Sequence, residues 1–259
     1  MLILLSPSEG KTAPAAGPGL DLGTLSFPAL SSARDQVLSA LIAASERPDA
    51  CATLGVSPGL AATVEANRWL RIAPTAPALS VYSGVLYDAL APASWDPDTR
   101  TRAQGSILIF SALFGVVCPT DPIPSYRLSG GANLPGLGRL SGFWKRHLGP
   151  VLPDDDLVID CRSGTYAAMW RPQASLPVRV FDESSGTRKV VSHMAKHARG
   201  LVARALVSGP APTSAAEAVC LLNSYFATHP VTTAAGLPVR VSVEHGNDSI
   251  DVVTAASPR

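Results

Sequence analysis

Charge is scarce in this sequence. Asp, Glu, Lys and Arg make up 16% of its 259 residues, 21 basic against 20 acidic, for a formal net charge of +1. So balanced a chain has no overall electrostatic pull toward nucleic acid or a membrane surface, and either partner would need a local basic face. With 46% hydrophobic residues, the composition also argues against long disordered tails. Cysteine is equally thin. Cys51, Cys118, Cys161 and Cys220 form no CxxC pair and match no zinc spacing, so they read as free thiols in a reducing cytosol. His193 and His197 stand four apart, but His147, His229 and His245 are scattered and supply no third ligand. No metal or other cofactor is expected. No apolar run reaches the roughly 18 residues of a membrane span. The opening MLILL is too short for the apolar region of a signal peptide and has no basic residues before it. The expectation is a monomeric cytoplasmic protein with no membrane partner.

What is present is an alternation of strands and helices. MLILL (1–5) reads as a buried strand, the Pro- and Gly-rich stretch 12–30 as a loop, and 31–47 as a helix with Ser31 or Ser32 as its cap. Near residues 48–70 two short helices meet at Leu54-Gly55-Val56-Ser57-Pro58-Gly59, with Ser57 as N-cap and Pro58 in the first turn. This hinge resembles the loop of a helix-hairpin-helix, which offers backbone N–H groups to a DNA phosphate; the signal is weak, and a plain tight turn between helices is the favoured reading. SILIFSAL (106–113) and DLVIDCRS (156–163) read as strands buried on both faces. Between them lies the long Pro- and Gly-dense loop FGVVCPTDPIPSYRLSGGANLPGLG, of a kind that is often functional. Hairpins are predicted over 178–192, turning at Ser184-Ser185-Gly186, and over 239–253, turning at Gly246-Asn247-Asp248. A helix is predicted over 193–206, with Met194, Ala198, Leu201 and Ala205 on one face and His193, Lys196, His197, Gly200 and Arg204 on another. The fold class is α/β: one domain, 1–259, with a mixed β-sheet wrapped by helices.

Gly10-Lys11-Thr12 just after the first strand invites comparison with a phosphate-binding P-loop. The motif GxxxxGK[ST] fails here on three counts. Its first glycine would be Leu5, Pro7 removes an amide from the cradle, and Pro14, Gly17 and Pro18 stop the helix that should begin at the lysine. Lys11 still lies just past the carboxyl end of a buried strand, where open α/β sheets bind ligands.

Four stretches, LLSPSEGKT, YSGVLYDAL, FSALFGVVCPTDPIPSYRLS and VVSHMAKHARGLVAR, together resemble the YaaA family of peroxide-stress proteins, the DUF328 or UPF0246 group. VIDCRSGTY joins them, and the resemblance covers nearly the whole chain. It implies a mixed sheet wrapped by helices, a helix-hairpin-helix-like element in the N-terminal third, and a polar cleft. It also implies a cytoplasmic protein that limits free iron under peroxide and has affinity for DNA. The matching positions are Lys11, Tyr82, Gly84, Tyr87, Ser111, Asp121, Tyr126, Arg127, Ser163, Tyr166, Lys196, Arg199 and Gly200. This sequence departs from the family's loop pattern at Cys118, where an arginine is usual, and at Gly130, where a methionine is. Pro122 and Asn133 stand where basic residues are common. The loop has lost positive charge, which weakens a phosphate-backbone reading and fits a reshaped small-molecule pocket.

Cations converging in a cleft make an anion site, and a lysine desolvated beside another cation becomes a base or nucleophile. Lys11, Lys196 and Asp121 are therefore the expected catalytic groups. Arg127, Tyr126, Arg199, Tyr82, Tyr87, Ser111, Arg162, Ser163 and Tyr166 are the expected substrate-binding ones. The bland alternative is that the Arg, Asp and Tyr side chains only stitch loops to the core. Lys196 and Arg199 are about 60° apart around a helix, so only one need enter a cleft. Two functions are carried forward. One is a non-redox enzyme for a small anionic or amino substrate, catalysing displacement or cyclisation with loss of sulfate or phosphate. The other is a stress protein that binds DNA and restrains iron.

Overall fold

In a computed structural model the described residues are 1–153, 155, 157–184, 186–191, 194–232 and 238–256. The main sheet is built from β1 (Leu2–Leu5), β2 (Ile107–Ser111), β3 (Gly115–Val117), β4 (Val158–Cys161), β5 (Ser175–Asp182), β6 (Lys189–Val190), β7 (Val231–Thr232), β8 (Pro238–His245) and β9 (Ile250–Ala256). Their spatial order is β7-β8-β9-β5-β4-β1-β2-β3, with β6 paired to β5. The centre is parallel: β1 lies between β2 and β4, with Leu4 opposite Leu108 on one side and Asp160 on the other. Both edges are antiparallel, β3 on β2 and β8 on β9. This matches the mixed α/β sheet expected. Every residue of β1, β2 and β4 is buried, as near-continuous apolar runs in a covered parallel sheet require; the two polar ones, Asp160 and Ser111, have partners described below.

The covering helices are α1 (Ser31–Ser45), α2 (Val85–Leu90), α3 (Pro97–Ser106), α4 (Leu140–Leu148), α5 (Ala195–Val207) and α6 (Ala215–Thr228). The patterns of α3, α4 and α6 escape the sequence reading. α3, PDTRTRAQGS, is almost wholly polar, yet Asp96 caps it by accepting from the Thr99 N–H at 2.7 Å and Pro97 opens its first turn. α1 starts where expected, but Leu30 takes the N-cap position. Ser31 instead donates its hydroxyl to the Leu22 carbonyl at 3.3 Å. Between residues 50 and 69 the chain forms short helical pieces around Gly55, whose φ of +65° suits glycine. Ser57 precedes Pro58 as predicted but makes no side-chain cap. The long central loop is less irregular than its composition suggests, since it opens with β3 and Pro122–Ile123 pairs with Ala76–Pro77. Both predicted hairpins form, β5–β6 and β8–β9; Ser185 of the first turn lies outside the described residues, as does His193.

α5 lies against α2, and Gly200 is the contact. A Cβ there would sit 2.8 Å from the Ala89 Cβ and closer still to the Leu86 carbonyl oxygen. Among the described residues no helix is long and apolar enough to cross a membrane.

Candidate functional site

The parallel strands β1, β2 and β4 end side by side, and the segments leaving them form the site. β1 runs into Ser6–Lys11. This loop is held by cross-links from distant parts of the chain. The Ser163 N–H, just past β4, donates to Ser6 Oγ at 2.8 Å, and the Tyr87 hydroxyl donates to the Ser6 carbonyl at 2.9 Å. The Ser83 N–H donates to Ser8 Oγ at 3.0 Å. Lys11 forms a single antiparallel bridge with Tyr82, and the Thr12 N–H donates to the Val81 carbonyl at 2.8 Å. A strand's end, a helix start and a second strand's exit thus fix where the Lys11 side chain begins.

That side chain is partly buried. Nζ donates to the Ser8 carbonyl at 2.8 Å and lies over two aromatic faces, 4.1 Å from the Tyr126 ring centre and 5.5 Å from that of Tyr82. The rings are themselves locked. Tyr82 and Tyr126 hydroxyls are 2.9 Å apart, and Ser111 Oγ is 2.8 Å from the Tyr126 hydroxyl. Ser111 Oγ also accepts the N–H groups of Leu113 and Phe114. With both lone pairs engaged, its own proton goes to Tyr126, and between the Tyr126 and Tyr82 hydroxyls either can be the donor. Tyr87 stacks on Tyr82 at 5.4 Å. Burial raises the Tyr82 hydroxyl to about 12 and pushes Tyr87 and Tyr126 well above the ordinary phenol value. These phenols hold their protons and work as fixed dipoles and ring faces.

Arg127 completes the cluster. Its backbone is clamped by Asn67, which accepts the Arg127 N–H at 2.9 Å and donates to the Arg127 carbonyl at 3.0 Å. One end of the guanidinium meets Glu9 twice, at the carbonyl (3.3 Å) and at carboxylate Oε2 (3.2 Å). Its Nε is buried and has no hydrogen-bond partner. A buried N–H of a cation needs an acceptor, which a ligand oxygen or a water can supply. Burial, chiefly, lowers the Lys11 amine from 10.5 to about 7; Glu9 opposes this and Arg127 reinforces it. Tyr166 adds a buried phenol whose oxygen accepts the Gly130 N–H at 3.0 Å. A side chain at 130 would collide with it, since a Cβ there would lie 2.8 Å from the Tyr166 Cζ. The departure from methionine noted in the sequence is thus matched by the placement of the Tyr166 ring.

The structure therefore brings together Lys11, Arg127, Tyr82, Tyr87, Tyr126, Ser111, Ser163 and Tyr166. Four other expected residues are placed differently. Asp121 is buried in its own loop, where it accepts from the Ser26 N–H and hydroxyl and from the Cys118 N–H, at 2.7 to 3.0 Å. Arg162 forms a two-pronged pair with Asp160 at 2.8 and 2.9 Å and donates to the Trp170 carbonyl, its guanidinium over the Phe110 ring. Arg199 donates twice to the Val178 carbonyl. Lys196 is exposed on α5. Among the described residues no hydrogen bond or ion pair joins any of these four to Lys11. The loop-stitching alternative describes Asp121 and Arg162, whose hydrogen-bonding capacity is taken up within the fold.

Three participants lay outside the sequence reading. Glu9 is two residues from Lys11, and an acid beside a candidate active lysine was the available signal. Asn67 and Arg34 gave none. Arg34 is completely buried on α1 and donates to the carbonyls of Ser26, Phe114 and Val116. Burial lowers it to about 10, with Asp121 as the opposing charge. Among the described residues no group of three or more His, Cys, Asp or Glu side chains is arranged to hold a metal.

Comparison with known proteins places this chain in a family. The profile described as "Peroxide stress protein YaaA" matches residues 1–217. A UPF0246 protein of Streptomyces coelicolor is 45% identical over 228 residues, covering 85% of this chain and 88% of its own. One from Corynebacterium efficiens is 46% identical over 225 residues, covering 85% and 90%, and one from Corynebacterium glutamicum 42% over 251, covering 95% and 97%. With the profile spanning most of the chain and these relatives nearly collinear with it, the chain belongs to the YaaA (UPF0246) family of peroxide stress proteins.

Proposed function

We propose that this family member is a small-molecule enzyme whose cleft lies at the end of β1. One observation carries the reading: the buried, unpartnered Nε of Arg127 beside the desolvated amine of Lys11. Arg127 takes an anionic group of the substrate and Lys11 acts on the carbon or nitrogen next to it. The reaction class is a non-redox displacement or cyclisation. An amine nitrogen of the substrate attacks carbon and forms the new bond, the C–O bond to sulfate or phosphate breaks, and the anion leaves with the electron pair onto Arg127. Lys11, its amine lowered by burial to about 7, takes the nitrogen's proton. Such an enzyme works on a small anionic or amino substrate, as a cytoplasmic monomer in a biosynthetic pathway, without a cofactor. Lys196, on the exposed face of α5, and Asp121, locked in its loop, are placed outside this proposed machinery.

The family description also carries a peroxide-stress role, and the resemblance noted in the sequence implies DNA binding and restraint of free iron. We rank it second because the arginines of the hinge region are already in ion pairs, Arg47 with Asp49 and Arg68 with Glu65.

Titration calorimetry with sulfate, phosphate and small carboxylates tests the first reading. The intact protein should bind at least one of them, and Arg127→Gln should weaken that binding at least about tenfold, roughly 1.4 kcal/mol. If the intact protein takes none of the three anions, the cleft is not the site proposed.

A further inference from the structure

We infer that Lys11 is a carbonyl-capturing lysine, which forms an imine with a short oxo acid whose carboxylate is held by Arg127. This deepens the enzyme reading above and rests on it, deciding between base and nucleophile for the same amine. Three features of the geometry point to it. First, the directions around Nζ are specified. A neutral amine has two N–H groups and one lone pair. The Ser8 carbonyl at 2.8 Å takes one N–H, and the Tyr126 face, 4.1 Å away, accepts the other. The lone pair is what remains to face a substrate. Second, Nζ and the Arg127 guanidinium dock on consecutive carbonyls of one loop, Ser8 and Glu9. Those carbonyls belong to adjacent residues, so the amine and the guanidinium flank one short stretch of loop, an arrangement that suits a carbonyl carbon and a carboxylate in one small molecule. Third, Arg127 has an unmet donor at Nε, and its outer nitrogen is occupied by the half-exposed Glu9 carboxylate, an internal stand-in that an incoming carboxylate can replace.

The step balances without a co-reactant. The Nζ lone pair bonds to the carbonyl carbon, the carbonyl oxygen takes up the amine's protons, and water departs to leave the C=N bond. The shift of the amine to about 7 makes the free base available at neutral pH, which is why attack is feasible there.

The chain is well suited to a direct test, because it has only four lysines: Lys11, Lys145, Lys189 and Lys196. The last three are exposed, and the Met1 amine is tied to Asp155 at 3.0 Å. The intact protein is incubated at neutral pH with glyoxylate, or with glycolaldehyde as the aldehyde lacking a carboxylate, in the presence of cyanoborohydride, which reduces an imine to a stable secondary amine. Peptide mass mapping then locates the adduct. Lys11 should carry at least about tenfold more glyoxylate adduct than any other lysine, and Lys11→Arg should remove that excess. Arg127→Gln should abolish the preference for glyoxylate while leaving Lys11 open to glycolaldehyde, which also reports that the variant is folded. Equal labelling of all four lysines overturns the inference. If Lys11 stays unlabelled while sulfate or phosphate still binds in an Arg127-dependent way, the nucleophile role is overturned and the base role stands. If anion binding is missing too, the enzyme reading falls with it.

Discussion

Burial holds the Lys11 amine near 7, far below its value of 10.5 in water, because the folded chain cannot solvate the ammonium as water does. Folding and protonation are therefore linked. Between about pH 7 and pH 10.5 the unfolded chain binds a proton at this residue that the folded chain has released, so this residue makes stability rise with pH across that window. Below pH 7 both states are protonated and the full penalty of the buried charge is present. Lys11→Met removes the titration and keeps the length of the side chain. The variant should be more urea-resistant than the parent at about pH 6, by something on the order of 1–2 kcal/mol, and the advantage should shrink toward zero by about pH 10. A constant difference in urea midpoint across that range would mean that the amine is not desolvated in the fold. At this scale the sequence was readable only in part. Lys11 and Arg127 stood out because they sit in motif stretches with a chemical rationale. Asp121 and Arg162 stood out for the same reason, and nothing local to the sequence separates a charged side chain that is saturated by its own fold from one left with an open donor. Asp121 finds Ser26 across 95 residues and Arg127 finds Asn67 across 60, distances along the chain over which pattern reading carries no geometry.

Elements were legible in proportion to how far burial dictated their pattern. β1, β2 and β4 are continuous apolar runs because helices cover both faces, and that pattern has no competing reading once Pro and Gly bound it. α3 is the opposite case, a helix made by its cap and first-turn proline more than by any apolar stripe. Close packing between α5 and α2 is likewise invisible in composition, because a helical glycine reads as a weakness until its neighbour is known. Gly200→Ala tests this. Replacing glycine by alanine inside a helix normally stabilises by about 0.5–1 kcal/mol. Here the added methyl would press on the Leu86 carbonyl and the Ala89 side chain, so the substitution should instead cost about 1–3 kcal/mol, read as a lowered urea midpoint. Gly142 in α4 is the control. A Cβ there would meet nothing within 4 Å, and Gly142→Ala should raise the midpoint. If both variants gain stability, α5 and α2 do not meet at Gly200 in solution.

For the molecule as a whole, the choice between small-molecule chemistry and nucleic acid is a question of where free positive charge lies. Affinity for DNA grows with the number of phosphates neutralised, and each contact makes log affinity fall by about 0.9 per decade of salt. A formal charge of +1 supplies no general attraction, so the contacts would have to come from the hinge at 54–59 or from α5. The cavity beside the hinge is lined by Glu46, Asp49 and Glu65 against Arg47 and Arg68, a local excess of one negative charge, and both arginines are paired within it. On α5, Arg199 is turned onto the Val178 carbonyl, which leaves the exposed Lys196 and the partly buried Arg204 as the cations of that face. Two cations on one helix support only a shallow salt dependence and an affinity weaker than the roughly 10⁻⁴–10⁻⁶ M of ordinary non-specific binders. A gel-shift titration with a duplex of about 20 base pairs at about 50 mM salt should therefore show no retarded species at micromolar protein. The same preparation should bind its small anion with an affinity that Arg127→Gln weakens and Lys196→Ala leaves unchanged. A micromolar complex whose affinity falls steeply with salt would reverse the order of the two readings, because that slope can come only from several phosphate contacts, and Lys11 and Arg127 supply two cations at most.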